Sequence, residues 1–399
     1  MRILHTADWH VGKVLKGRTR TDEHKEVLAE IVQVAQRERP DLVVVAGDLY
    51  DTAAPNADAV RLVTRALSAL RRTGAEVVAL AGNHDNAAQV EALRSWAEAA
   101  GVRLVGLVAN RPEQHLSTGT TAGGEPWRLV ALPFLSQRHV VRAAEMFELS
   151  LAEASQTYAD WVRRLLARLT EPFAAGVPGA AEGAGAGEPA VNLLTTHLTV
   201  SGGSLGGGER DAHTVFAYHV PPSVFPASCH YVALGHLHRQ QEIPGPCPIR
   251  YSGSPLHVDF GEEANEPAVL LVDVTPSTPA RVTPVPITSA RPLRTVRGTL
   301  DELARVAGEH DGAWLRVLVR ERPRAGLREE VQALLPDALE VRVDPDFARP
   351  RDERGPRAQR SGRTARELFA AYLEERGHDD QPVRDLFDRL YDEVSSLPS

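Results

Sequence analysis

Apolar residues fall along this chain in two alternating rhythms. Residues 2 to 8 read as a short buried strand that ends in acid. From Thr21 to Arg39, the positions Val27, Leu28, Ile31, Val34 and Ala35 recur at helical spacing until Pro40 stops them. Leu42 to Ala46 is an unbroken, mostly β-branched run, suited to a strand covered on both faces. A helix is predicted from about 55 to 72, with Gly74 as its stop, then a strand over 76–81. A further helix ends at Gly101 and leads into the strand-like VRLVGLV. Strands alternating with helices imply an α/β layered core.

Beyond Pro133 the pattern turns helical to about Leu169, and the small-residue stretch 176–190 reads as a surface loop. Strands resume over 191–197, 230–236 and 268–274. Prolines from Pro276 to Pro292 mark a boundary. After it come strand-like LRTV, helical DELARVAG, strand AWLRVLV, helical GLREEVQALL and strand LEVRV, a small α+β unit. Residues 348–362 lack an apolar face and read as a linker. Two helices then close the chain: Thr364 and Glu367 form a capping-box pattern ahead of Leu368, Phe369, Tyr372 and Leu373. After Pro382, the second carries Val383, Leu386, Phe387, Leu390, Tyr391, Val394 and Leu397. That stripe would dock on the chain's own core or in a partner's groove. The expected division is 1–275, 276–347, 348–362 and 363–399.

The polar residues that matter sit where the apolar strands stop. The first strand gives Asp8 and His10 in HTADWHVG, the second Asp48 in AGDLYD, and the third Asn83 and His84 in AGNHD. The strand over 191–196 gives His197. In ALGHLHRQ, strand alternation projects His236 and His238 together and turns Leu237 inward. Ligands of open α/β sheets bind at the carboxyl ends of strands, so these loops should converge. Two aspartates, four histidines and one amide are too many for a single tetrahedral zinc. They suit two ions about 3.5–4 Å apart, with an aspartate between them. Four imidazoles favour Mn²⁺, Fe or Zn²⁺ over Mg²⁺. Such a centre activates water, holds two phosphoryl oxygens and favours in-line attack at phosphorus, so the expected chemistry is phosphoester hydrolysis.

Composition changes this picture little. The net charge of −8 argues mildly against nucleic acid, yet a metal cluster adds local positive charge that the formal sum omits. The charge is also uneven: seven arginines face two acids between Arg349 and Arg366, while nine acids face three arginines from Glu367 onward. Only Cys229 and Cys247 occur, outside any C-x-x-C, which suits free thiols in a reducing cytoplasm. No apolar run is long enough to span a bilayer and the N-terminus has no secretory pattern, so a cytoplasmic protein is expected.

The motifs D-x-H, G-D-x-x-D, G-N-H-D, H and G-H-x-H, in that order, resemble the calcineurin-like metallophosphoesterase superfamily over about residues 1–275. HTADWHVGK, GDLYDTAAP, LAGNHD and YSGSPLHVDFGE look like its SbcD branch, the bacterial double-strand-break nuclease subunits. The resemblance implies a layered β-sandwich flanked by helices, a small α+β capping domain and a C-terminal helical tail. It implies that Asp8, His10 and His238 hold one metal, Asn83, His197 and His236 the other, with Asp48 bridging. His84 matches the family's catalytic histidine, placed to protonate or stabilise the leaving 3′-oxygen. Asp51 is a candidate to orient His84 or an ordinary turn carboxylate. Asp85 is expected to steady its loop, and Trp9 to pack inward.

The same likeness implies a homodimer paired through about residues 55–100 and a coiled-coil ATPase partner of the SbcC type. That ATPase would dock on Leu368, Phe369, Tyr372, Leu386, Phe387, Leu390 and Tyr391. DNA is the implied substrate, cut as a double-strand exonuclease and a single-strand or hairpin endonuclease. Lys13, Lys16, Arg18 and Arg20 crowd the loop after His10 and are candidates for backbone phosphates. The glycine-rich SGGSLGGGERD after His197 is expected to border DNA. Two alternatives stand beside this: another phosphatase or small-molecule phosphodiesterase of the superfamily, and a non-catalytic DNA-end-binding subunit. GDLYDTA and GNHDN depart from the protein phosphatases' G-D-x-x-D-R-G and G-N-H-E, and a scaffold has no need of so costly a polar cluster.

Overall fold

The structure is a computed structural model that describes residues 1–135, 151–174, 189–209, 219–348, 369, 373 and 381–396. The chain opens with β1 (Arg2–Thr6), a small hairpin of β2 (Val14–Leu15) and β3 (Arg18–Thr19), and α1 (Thr21–Glu38). Then come β4 (Leu42–Val45), α2 (Ala57–Arg71), β5 (Glu76–Leu80), α3 (Ala87–Ala92), α4 (Arg94–Ala99) and β6 (Val102–Val105). Where one helix was expected before Gly101, two short ones meet at Leu93. The second half of the core holds β7 (Leu116–Thr120), β8 (Pro126–Leu132), α5 (Leu151–Leu169), β9 (Val191–His197), β10 (Tyr231–Gly235), β11 (Gln241–Ile243) and β12 (Ile249–Tyr251). It closes with β13 (Ala268–Thr275) and β14 (Thr278–Pro286).

These strands form two six-stranded mixed sheets, ordered β14-β13-β1-β4-β5-β6 and β11-β12-β10-β9-β8-β7. In the first, β1, β4, β5 and β6 run parallel; in the second, β8, β9, β10 and β12 do. The strands lack polar alternation because both faces of each sheet are covered. Ile3, Leu42, Val44 and Val78 point between the sheets onto Leu129, Val191, Leu193 and Ala233. Leu4, Val43, Val45 and Val77 face the other way onto Val27, Ile31, Val63 and Leu67 of α1 and α2. Val130, Leu194 and Val232 back onto Tyr158, Val162 and Leu166 of α5. The order of layers is helix, sheet, sheet, helix.

The prolines expected to end the core instead run through a strand of it. β14 pairs antiparallel with β13, with Leu270 opposite Pro284 and Ala268 opposite Pro286. β14 is an edge strand, where a proline without an N–H can be accommodated. The hairpin of β7 and β8 is an addition to the expected elements. Next, β15 (Leu293–Gly298), α6 (Leu300–Arg305), β16 (Trp314–Val319), α7 (Leu327–Leu334) and β17 (Ala338–Val343) build an all-parallel three-stranded sheet with its own apolar cluster. A capping box of Thr299 and Glu302 starts α6. This small sheet meets the core where Leu293 and Trp314 pack on Leu15 and Phe260.

Residues 346–399 form a separate compact unit. It contains α8 (Gln381–Ser396), and the rings of Phe369 and Phe387 stack with centroids 3.9 Å apart. Leu386 is 49% exposed. The expected linker over 348–362 lies outside the described residues beyond Ala348, as do Leu368, Tyr372 and the side chains of Leu390 and Tyr391. Among the described residues, no helix is long and apolar enough to cross a membrane.

Candidate metal centre

Every candidate ligand lies at the carboxyl end of a parallel strand, and the two sheets bring those ends together. Asp8 and His10 follow β1, Asp48 follows β4, and Asn83 and His84 follow β5. His197 is the last residue of β9, and His236 and His238 follow β10. The sheets approach closely here. A Cβ on Gly235 would collide with the carbonyl oxygen of Ala46, and one on Gly82 with the carboxylate of Asp48. The glycines that precede Asn83 and His236 are therefore spatial requirements of the site.

The backbone bends sharply at the ligands. Asp8 has φ 54°, His10 45°, Asp48 50° and His236 102°, all in the left-handed region that non-glycine residues avoid. Strain of this kind gathers at functional sites, where the surrounding fold over-determines the geometry. The strand was expected over 230–236 with its alternation continuing to His238, but β10 ends at Gly235. The turn still sends Leu237 into the core behind the second sheet while both histidines face the cluster.

All of the ligand candidates except Asn83 are buried nearly completely. The Nε2 atoms of His10 and His238 stand 3.0 Å apart. The Oδ1 of Asn83 lies 2.8 Å from Nε2 of His197 and 2.8 Å from Nδ1 of His236. Asp48 Oδ2 is 3.4 Å from His197 Nε2 and 3.7 Å from His10 Nε2, between the two groups. The backbone N–H of His236 donates to Asp8 Oδ1 at 2.9 Å. Donor atoms of Asp8, His10, Asp48 and His238 all lie within 4.8 Å of one another.

What stands behind the rings decides which nitrogen faces the cluster. His197 Nδ1 lies 2.8 Å from the carbonyl of Ala46, and His238 Nδ1 2.6 Å from Oε1 of Glu262. A neutral imidazole that donates from Nδ1 presents a lone pair at Nε2. Nε2 of His197 then meets Asn83 Oδ1 and Asp48 lone pair to lone pair, an arrangement that a cation relieves. Without an ion, protons answer the same demand for positive charge. Burial pushes the Asp8 carboxyl up to about 6. Burial would also raise Asp48, but His197, His84 and His10 hold it well below the ordinary carboxylate range. Burial opposes protonation of His197 and His238, yet Asp48 lifts the first to about 9 and Glu262 the second to about 10. This set of oxygen and imidazole donors fits divalent metal.

The neighbours of the cluster divide into several roles. The His84 backbone N–H donates to Asp48 Oδ1, and its ring Nδ1 lies 2.8 Å from the backbone carbonyl of Asp51. The Asp51 carboxylate lies 3.2 Å from Lys13 Nζ and 3.8 Å from His10 Nδ1, and one of its oxygens is within 4.8 Å of a ring nitrogen of His84. Asp85 accepts from the backbone N–H groups of Leu49, Tyr50 and Gly82, tying the loops after β4 and β5 together. Trp9 is fully buried and donates to Thr6 Oγ1. Ser254, in YSGSPLHV, donates to the Asp8 carbonyl or to that of Leu256.

The basic loop differs most from expectation. Arg20 is buried, with its guanidinium on the Glu23 carboxylate and the His257 carbonyl, so it is not a DNA contact. Arg18 lies over the Trp314 ring at 5.2 Å, and Lys16 faces Asp259 and Glu340 at 3.6 Å each. The loop joins the small sheet to the core. Two residues without an expected role stand out, Glu262 on the ring of His238 and Glu209 on its backbone N–H. Nothing in the spacing of either marks it, because its partner lies 24 or 29 positions away.

Comparison with known proteins agrees with this geometry. The family profile described as calcineurin-like phosphoesterase matches residues 1–240, and one described as type 5 capsule protein repressor C-terminal domain matches 289–395. The chain is 33% identical to the SbcD subunit of the SbcCD nuclease from Bacillus subtilis, over 82% of this chain and 81% of that one. It is 32% identical to the protein of the same name from Rhodobacter capsulatus, over 93% and 94% of the two chains. The Escherichia coli K12 protein of that name is 29% identical over 86% and 84%. A solved dimetal phosphatase from Danio rerio aligns at 13% identity and a TM-score of 0.40, over 72% of this chain and 96% of that one. The buried Asp/His cluster, the two sheets that carry it and the match along most of the chain make it a phosphodiester-bond hydrolase, belonging to the calcineurin-like phosphoesterases and, within them, to the SbcD family of nuclease subunits.

Proposed function

We propose that this chain is a two-metal DNA nuclease, working as the SbcD partner of an SbcC-type coiled-coil ATPase in DNA repair and recombination. The observation that carries the reading is the convergence of Asp8, His10, Asp48, Asn83, His197, His236 and His238 from five strand ends of both sheets. Asp8, His10 and His238 hold one ion, Asn83, His197 and His236 the other, and Asp48 lies between them. Mn²⁺ suits this imidazole-rich set best, with Mg²⁺, Fe and Zn²⁺ as competitors. When bound, the ions supply Lewis acidity and an activated water. His84, its ring fixed by the Asp51 carbonyl 2.8 Å away, holds the proton that the leaving 3′-oxygen receives. Lys13, 23% exposed at the side of the cluster, is the basic residue best placed to meet a backbone phosphate.

The relatives' name makes them one part of a two-part nuclease. For this chain we assign the ATPase contact to the tail, where Val383 and Leu386 stay 37% and 49% exposed on an amphipathic helix. Pairing of two copies is assigned to the helices over about 55–100. Linear duplex, single-stranded and hairpin DNA are its expected substrates. The test compares linear duplex DNA, bis-p-nitrophenyl phosphate and p-nitrophenyl phosphate, each with and without Mn²⁺. Mn²⁺-dependent degradation of DNA with preference for the diester supports the reading. Monoester hydrolysis with intact DNA sinks it.

A further inference from the structure

Beside the DNA-bordering role expected of it, the stretch SGGSLGGGE packs against the metal centre. Gly206, Gly207 and Gly208 lie against the turn Asp259–Glu263 and the loop that carries His238. A Cβ on Gly206 would stand 2.9 Å from the Cβ of His238, and one on Gly207 2.6 Å from the Gly261 carbonyl oxygen. A Cβ on Gly208 would collide with the Glu262 carboxylate itself. Three residues without side chains thus make the room in which Glu262 reaches His238. Glu262 is 1% exposed, and its second oxygen accepts from the Val258 backbone N–H at 2.8 Å. Glu209, next in the chain, accepts from Gly206, Gly207 and the backbone N–H of His238.

The turn is anchored on its other side by the small parallel sheet. Phe260 packs with Leu293 and Trp314, and Thr295 donates to the Glu263 carboxylate at 2.6 Å. Arg294 donates to the Glu263 carbonyl at 3.2 Å. We infer that Glu262 is a positioning residue that sets the ring of His238 towards the metal and is itself held in register by the small sheet. The inference rests on the reading of His238 as a ligand given above. A carboxylate behind a ligating imidazole fixes its tautomer and raises its basicity, and losing one weakens metal binding about 10- to 100-fold.

Mn²⁺ binding to the full-length protein, followed by the electron paramagnetic resonance signal of free Mn²⁺, tests this with Glu262→Gln, Glu262→Asp and His238→Ala. The expected result for Glu262→Gln is one site weakened about 10- to 100-fold and the other unchanged, at an unaltered melting temperature of the metal-free protein. DNA cleavage by that variant should recover at high Mn²⁺, which a general structural defect does not allow. If Glu262→Gln fails to fold, Glu262→Asp, which keeps the charge but shortens the reach, carries the same comparison. Weakened binding in His238→Ala with wild-type binding in folded Glu262 variants overturns the inference alone. Wild-type binding in His238→Ala removes the ligand assignment beneath it as well.

Discussion

His84 meets Asp48 through its backbone N–H, and its ring, with Nδ1 at the Asp51 carbonyl, stands edge-on to the His10 ring with centroids 4.6 Å apart. Alanine at this position keeps the backbone bond and deletes the imidazole. His84→Ala should therefore bind Mn²⁺ like the wild type and lose about 10²- to 10⁴-fold in cleavage; unchanged turnover would refute the role given to it. His5 shows the opposite use of an imidazole. It is sealed between the sheets, 2.9 Å from the Tyr231 hydroxyl and 3.1 Å from the Leu234 carbonyl. Burial pulls its pKa down to about 3. The unfolded chain binds that proton at about pH 6.5 and the folded chain does not, so stability falls as pH drops from about 6.5 towards 3. The loss is on the order of several kcal/mol over the window. Urea unfolding of metal-free protein at pH 7 and pH 5 should show a smaller drop for His5→Gln than for the wild type, and equal drops would exclude His5 as a source.

At the scale of strands and helices, the closeness of the sheets at the ligand end is the governing fact. Gly235→Ala puts a methyl between β10 and the Ala46 carbonyl and near the His197 ring. It should cost about 2–3 kcal/mol in stability and weaken Mn²⁺ binding, whereas an intact variant would show that the sheets can part without harm. Removing everything after residue 360 should leave Mn²⁺-dependent cleavage of small diesters unchanged and abolish capture of the ATPase partner; a truncated chain that still binds the ATPase contradicts the tail assignment. The strands that carry the candidate ligands were readable because each is a buried run stopped by a polar residue, with a glycine just ahead of it in VVVAGD, VALAGNHD and VALGH. β14 was not, because its prolines are tolerated only by its edge position, which local sequence does not reveal. Arg20 and Glu262 were missed for a related reason. An arginine after a metal motif looks like a phosphate contact until His257 and Glu23 are seen to enclose it. Glu262 gains meaning only from a ring 24 positions back.

On the scale of the whole molecule, the proposed centre draws ligands from both sheets, so a bound ion would add to the apolar packing and to the hydrogen bonds of His5 and His197 that already join the two layers. Ligand that binds only the folded state adds about 2.7 kcal/mol at a concentration 100-fold above its Kd. Mn²⁺ should therefore raise the melting temperature by a few degrees, and chelation should reverse the rise; a melting curve indifferent to both would argue against a shared site. The seven donors are also scattered in time. Asp8 and His10 precede their partners His236 and His238 by 228 positions. A nascent chain that has left the ribosome with Asp8, Asp48 and His84 carries half a centre and no second sheet to complete it. Glu262, β13 and the small sheet that braces Phe260 come later still. On the ligand set proposed above, the centre is complete only once nearly the whole core has been synthesised, so a partly translated chain should neither bind both ions nor cut.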